Sequence, residues 1–206
     1  MKNYGNTFNS SRTDFSAGKV PIWLHVDEFY PAGCTLNGQI EGSTIPVGTP
    51  VAVSKMGAEA TLLETFEVVG AVASTDTSVV LKSVSGTVNP AKDMIVGKLA
   101  SGSISKAVKL PAPTSVGSGD HAGEYTFAIT ANSLGELSDG DILVMASATS
   151  NPVPVYPTGL LYEDVYIGTD GATGTIVTKG QVLADRIAAI PEAYKPYLTN
   201  ITFVNE

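Results

Sequence analysis

The sequence predicts an all-β protein: a small β-barrel or sandwich module with an inserted second β unit and one short helix near the C-terminus. Three observations predict it. First, short apolar runs alternate with Gly-, Pro-, Asn- and Asp-containing turns, the pattern of strands and tight connections. Second, residues 159–182 read as strand, turn, strand: Gly159-Leu160-Leu161-Tyr162-Glu163-Asp164-Val165 leads through Gly168-Thr169-Asp170-Gly171-Ala172-Thr173-Gly174 to Thr175-Ile176-Val177-Thr178-Lys179-Gly180-Gln181-Val182. Third, Pro152, Pro154 and Pro157 make 151–157 a stiff, extended connector and the sharpest boundary in the chain. Helix is expected to stay below about a fifth, against a base rate near a third. Three parts follow: a flexible N-terminal arm (1–19), a β module from 20–73 plus 152–206, and an inserted β domain (74–151).

Each element has a local reason. Residues 1–19 are rich in Asn, Ser and Thr with isolated Tyr4, Phe8 and Phe15. They bury too little to fold alone, so they form either a disordered tail or an arm that orders on a partner. Val20-Pro21-Ile22-Trp23-Leu24-His25-Val26 is the first strand; its imperfect alternation predicts cover on both faces, with Trp23 in the core. Turns dominate 29–53, and a strand begins after Pro50, because proline lacks the N–H a ladder needs. Another apolar run spans 65–73. In the middle, 78–84 followed by 92–96 resembles 124–129 followed by 140–144, either a duplicated β unit or a shared hairpin rhythm. Between them, 110–120 is a proline-then-glycine loop, expected to be the most mobile internal segment. Toward the end, 191–195 reads as one helical turn with Pro191 first, and Pro196 should end it. Residues 200–204 close the chain as a strand with Ile201 and Phe203 on one face.

Composition narrows the function. The 206 residues are 43% hydrophobic but only 16% charged, well under the roughly 25% of an average domain, so Ser, Thr, Asn and Gly must cover the surface. A net charge of −8 argues against binding nucleic acid through its phosphates. Lys92, Lys98, Lys106 and Lys109 are too scattered for such a patch and read as solvated loop charge. With Cys34 as the single cysteine, no intrachain disulfide is possible. No apolar run is long enough for a membrane span, and the polar start has no signal-peptide core, so synthesis in a cytoplasm and no membrane partner are expected.

No set of side chains for catalysis stands out, and no enzyme, cofactor or metal is expected. His25 reads as a hydrogen-bonded strand residue and His121 as a loop residue, with no metal-ligand spacing between them. Cys34 reads as a small buried residue without a general base. Glu163 and Asp164, adjacent on a predicted strand, would face opposite ways and cannot flank one scissile bond. Asp170-Gly171-Ala172-Thr173-Gly174 lacks the alternating acids of a calcium loop. Phosphate-loop and nucleophile-elbow patterns are missing as well.

Two segments resemble a known family. Ile45-Pro46-Val47-Gly48-Thr49-Pro50-Val51 is similar to a segment of the capsid decoration and head-fibre proteins of tailed bacteriophages. The C-terminal run resembles the same proteins more strongly, through 159–165, Ile176-Val177-Thr178-Lys179-Gly180-Gln181-Val182, the Asp185-Arg186 pair, Pro191 and 201–204. The resemblance implies a non-catalytic virion protein bound to the outside of the shell, with the major capsid protein and copies of itself, as a homotrimer, for partners. Tyr4, Phe8 and Phe15 are then the capsid-contact candidates. The alternative is a bacterial surface or carbohydrate-binding β module. Such a binder would expose aromatic side chains beside a groove, with Tyr30, Tyr125, Tyr156, Tyr162 and Tyr166 as candidates, although most tyrosines of this kind pack in cores or on strand faces.

Overall fold

The computed structural model describes residues 21–30, 33–37, 41–54, 59–84, 93–100, 102–169 and 171–205. The fold is mostly β, 48% strand and 5% helical, which places it in the all-β class. Among the described residues seventeen strands follow one another: β1 (Trp23–Phe29), β2 (Cys34–Asn37), β3 (Thr44–Ile45), β4 (Pro50–Val53), β5 (Glu59–Leu62), β6 (Thr65–Val68), β7 (Ser78–Ser83), β8 (Ile95–Ala100), β9 (Ser103–Lys109), β10 (Ser115–Val116), β11 (Glu124–Ala128), β12 (Ile142–Met145), β13 (Gly159–Leu161), β14 (Val165–Tyr166), β15 (Thr173–Gly174), β16 (Ile176–Leu183) and β17 (Ile201–Val204).

Two large curled sheets share them. The first runs β1-β16-β13-β4-β5-β2-β15, with β17 added in parallel to β16. It draws on both ends of the chain. The second runs β10-β11-β7-β6-β12-β8-β9 and uses only the middle. A small β14-β3 pair completes the set. The strand Thr65–Val68 pairs with β7 and β12, so the change of sheet falls between Leu62 and Thr65, earlier than the expected break after residue 73.

Alternation explains the second core. Val79 and Leu81 on β7, and Tyr125 and Phe127 on β11, point to one side, where they meet Phe66, Val96 and Leu143. Phe66 and Phe127 make an edge-to-face contact at 6.2 Å. The two similar strand–loop–strand stretches do not form hairpins of their own: β7 pairs with β11, and β8 pairs with β12. The 110–120 segment is tied at its start by Leu110 N–H to the Met94 carbonyl and farther along by Thr114 N–H to the Thr126 carbonyl and Gly117 N–H to the Glu124 carbonyl, and Leu110 is fully buried.

A joint holds the sheets together. Leu63, Ile104, Val144, Ala146 and Tyr194 form one buried cluster, joined by Ala52 of the first sheet and Ile95, Leu99 and Met145 of the second. The proline-rich connector is packed into this joint. Tyr156 stacks on Tyr197 at 3.7 Å, and its hydroxyl donates to the Gly102 carbonyl at the β8–β9 turn. Tyr194 is completely buried, which pushes its phenol pKa up; its hydroxyl has no well-formed hydrogen bond, although the Met145 backbone lies near enough to offset part of that cost.

Three local expectations are corrected. The first strand starts and ends about three residues later than predicted and is an edge strand, so most of its residues are exposed rather than covered on both faces. Trp23 is half-buried at the rim of a core, not inside it. Residues 191–194 form a turn closed by Tyr194 N–H to the Pro191 carbonyl, and the short helix is a 3₁₀ turn at Lys195–Tyr197 that contains Pro196. Proline is tolerated there because the first turn needs no N–H from it. A further 3₁₀ turn covers Ala184–Arg186.

Candidate functional site

The two segments that carry the sequence resemblance meet in space. β3 pairs with β14 through Ile45 opposite Val165, and β4 pairs with β13 through Val51 opposite Gly159. Gly48 N–H donates to the Leu161 carbonyl at 2.8 Å, and Leu161 N–H donates to the Thr49 carbonyl at 3.0 Å. Asp164 accepts the Val47 N–H at 2.8 Å. Asp164 therefore holds the 45–50 turn onto the C-terminal strands. It does so from a bend between β13 and β14; the predicted continuous strand over 159–165 is interrupted there, and Glu163 and Asp164 are both exposed. Glycines mark the closest approaches. Gly48 sits at φ +79°, and a Cβ there would lie 2.5 Å from the Ile187 side chain. At Gly180 a Cβ would lie 2.6 Å from the His25 carbonyl oxygen, because β1 crosses directly over it.

Beside this junction lies an aromatic platform. Trp23 opposes Val182 and Phe29 opposes Val177 across the β1–β16 ladder. Register shifts after Trp23, Val26 and Glu28 bend β1, and this bend lets both rings reach Tyr162. Tyr162 stacks against Trp23 at 6.3 Å and 27°, and meets Phe29 edge to face at 5.2 Å and 86°. The Trp23 indole N–H donates to the Tyr162 carbonyl at 2.9 Å, and Tyr162 N–H donates to the Thr175 carbonyl. Phe29 remains 45% exposed and Tyr162 37%, so the rings form a fixed surface, not a core. Along β1 between the two rings, His25 opposes Gln181 and pairs with Asp27 at 2.9 Å, Asp27 faces Lys179 at 4.0 Å, and Glu28 opposes Lys179 in the ladder.

The remaining sequence candidates disperse. Tyr4, Phe8, Phe15, Lys92 and Asp170 lie outside the described residues. Among the proposed sugar-facing tyrosines, Tyr125 is buried, Tyr30 packs half-buried against the first core, and Tyr156 belongs to the joint. Tyr166 is 65% exposed on β14, and Tyr162 joins the platform. Trp23 and Phe29 were not among the candidates; the one available signal was their spacing at opposite ends of a single edge strand. Cys34 is buried on β2, which raises its thiol pKa. His121 pairs with Glu124 at 3.0 Å. The lysines sit on strands and are partnered rather than loose: Lys98 with Asp141 at 2.6 Å, Lys109 with Asp93 at 3.1 Å, and Lys106 with Asn132 at 2.6 Å. No group of three or more potential metal ligands occurs among the described residues.

A shallow groove of about 230 Å³ lies along 184–195, lined by Ile187, Ile190 and Phe203, with Lys195 5.8 Å from the Phe203 ring centre. Comparisons with protein-family models, curated proteins and solved structures return no match.

Proposed function

We propose that this chain is a virion structural protein that decorates the outer surface of a tailed-phage capsid as a homotrimer, with the major capsid protein as its partner. One observation carries the reading. The 45–51 and 159–182 segments, the two that resemble decoration and head-fibre proteins, are more than a hundred residues apart yet interlock through paired strands and the Asp164 bond to Val47. Segments that resemble one family and also form one unit support a shared module more strongly than two isolated motifs do. The second sheet, joined to that module at the tyrosine-rich joint, would be the part held out from the shell. Tyr4, Phe8 and Phe15 would provide the shell contacts, as aromatic anchors commonly do.

Mass spectrometry of gradient-purified virions of the source phage tests the reading, together with addition of the purified protein to empty capsids. The chain should appear in virions and bind capsids. Its absence from virions would overturn the proposal. A form lacking residues 2–19 should keep the same circular dichroism and bind capsids more weakly; equal binding would remove the arm from the contact.

A further inference from the structure

We propose that the Trp23–Phe29–Tyr162 platform is a binding site for neutral oligosaccharides. This goes beyond the capsid reading and does not depend on it. The geometry decides the ligand's shape. The rings touch one another, at 5.2 and 6.3 Å between centres, which leaves no space for a cation enclosed between them. A ligand can only lie against the exposed outer side of this cluster, on one ring face at a time, because Phe29 stands at 86° to Tyr162. A pyranose does this: one side of the sugar ring presents C–H bonds to an aromatic face, and its hydroxyls project outward to polar groups at the rim.

The rim supplies such groups. Glu163, exposed and next in sequence to Tyr162, offers a carboxylate acceptor, and Tyr162 carries its own hydroxyl. Charge then selects the class of sugar. The chain carries a net charge of −8, and the exposed Glu163 and Asp164 follow Tyr162 directly in sequence, so sulfated or otherwise anionic glycans are repelled while neutral ones are not. The site is also preorganised. The Trp23 indole bond to the Tyr162 carbonyl and the Tyr162 backbone bond to Thr175 fix two of the rings before any ligand arrives, which lowers the ordering cost of binding.

A second copy is a poorer occupant. The edge strand that carries two of the rings is bent by three register shifts and has His25, Asp27 and Glu28 along it, features that discourage edge-to-edge pairing.

The experiment uses a property of this chain: Trp23 is its one tryptophan, so intrinsic tryptophan emission reports on the platform alone. The full-length protein is titrated with cellohexaose, mannohexaose, laminarihexaose and chitohexaose, and with dextran sulfate as the anionic control. At least one neutral hexasaccharide should give a saturable change in emission, and dextran sulfate none. Phe29→Ala and Tyr162→Ala should each weaken that response about tenfold or more, with unchanged circular dichroism. Having two variants guards against one of them misfolding. The proposal is overturned if no neutral sugar changes the emission at millimolar concentration, or if both folded variants respond like the parent. A sugar-independent emission change that follows protein concentration, matched by a mass increase in sedimentation, would also overturn it, by assigning the platform to self-association.

Discussion

Tyr194 shows how a single residue can be central to packing and yet carry a polar group it does not need. Its ring fills the joint between the sheets, and its hydroxyl is buried without a well-formed hydrogen bond. Leaving such a group unsatisfied costs about 1–3 kcal/mol. Tyr194→Phe should therefore keep or raise stability in urea denaturation, while Tyr194→Ala should lose about 3–5 kcal/mol by opening a cavity. Asp141 makes a pH-dependent contribution. Partial burial alone would raise its pKa, but the Lys98 hydrogen bond, the Ser138 N–H and the Lys98 charge together bring it below the usual 3.8. A carboxylate with a lowered folded-state pKa stabilises fully above its unfolded value, and that stabilisation is lost as pH falls through the folded value. The melting-temperature gap between the parent and Asp141→Asn should be fully open above the ordinary carboxylate range and close only as pH falls through the lowered folded-state value, below the usual 3.8. A gap that stayed constant with pH would mean the ion pair contributes nothing.

At the level of elements, β16 is the organising strand. It pairs with β1 on one side and with β13 and β17 on the other, so it links 23–29, 159–161 and 201–204. Gly180 makes the β1 crossing possible, because a Cβ there would press on backbone, which cannot swing aside as a side chain can. Gly180→Ala should cost about 1–3 kcal/mol and increase hydrogen exchange over 23–29 first. Unchanged protection of β1 would show that the crossing has slack. The glycines and Asp164 of the resemblance motifs thus have packing and turn-holding duties. This explains why the motifs were readable in sequence while the platform was not: motif spacing records local backbone demands, whereas Trp23, Phe29 and Tyr162 come together only when a bulged strand from one end of the chain meets a bend 133 residues after Phe29.

For the whole molecule, the joint couples the sheets. Leu63, Val144 and Tyr194 pack from three distant stretches, and the Tyr156–Tyr197 stack adds a second tie. Scanning calorimetry should show one unfolding transition, and Tyr194→Ala should broaden it or split it in two. Two resolved transitions in the parent protein would mean that the joint does not transmit stability. The second sheet uses a continuous middle segment, while the first waits for the two chain ends to meet, so its contacts are the most non-local.

The sequence by itself determined the all-β class, the middle strands β7, β11 and β12, and burial at Cys34, because period-two alternation and turn residues act over a few neighbours. It misjudged Trp23, since a large apolar ring next to Ile22 and Val26 reads as core whether its strand ends up central or at an edge. Only the tertiary structure decided which sheet Thr65–Val68 joins, that β7 and β8 do not form a hairpin, that the proline connector is packed under tyrosines, and which tyrosines face water. The physical reason is the same in each case. A strand's partners are chosen by its hydrogen bonds to distant strands, and the side exposed to solvent follows from that choice, which no local pattern encodes.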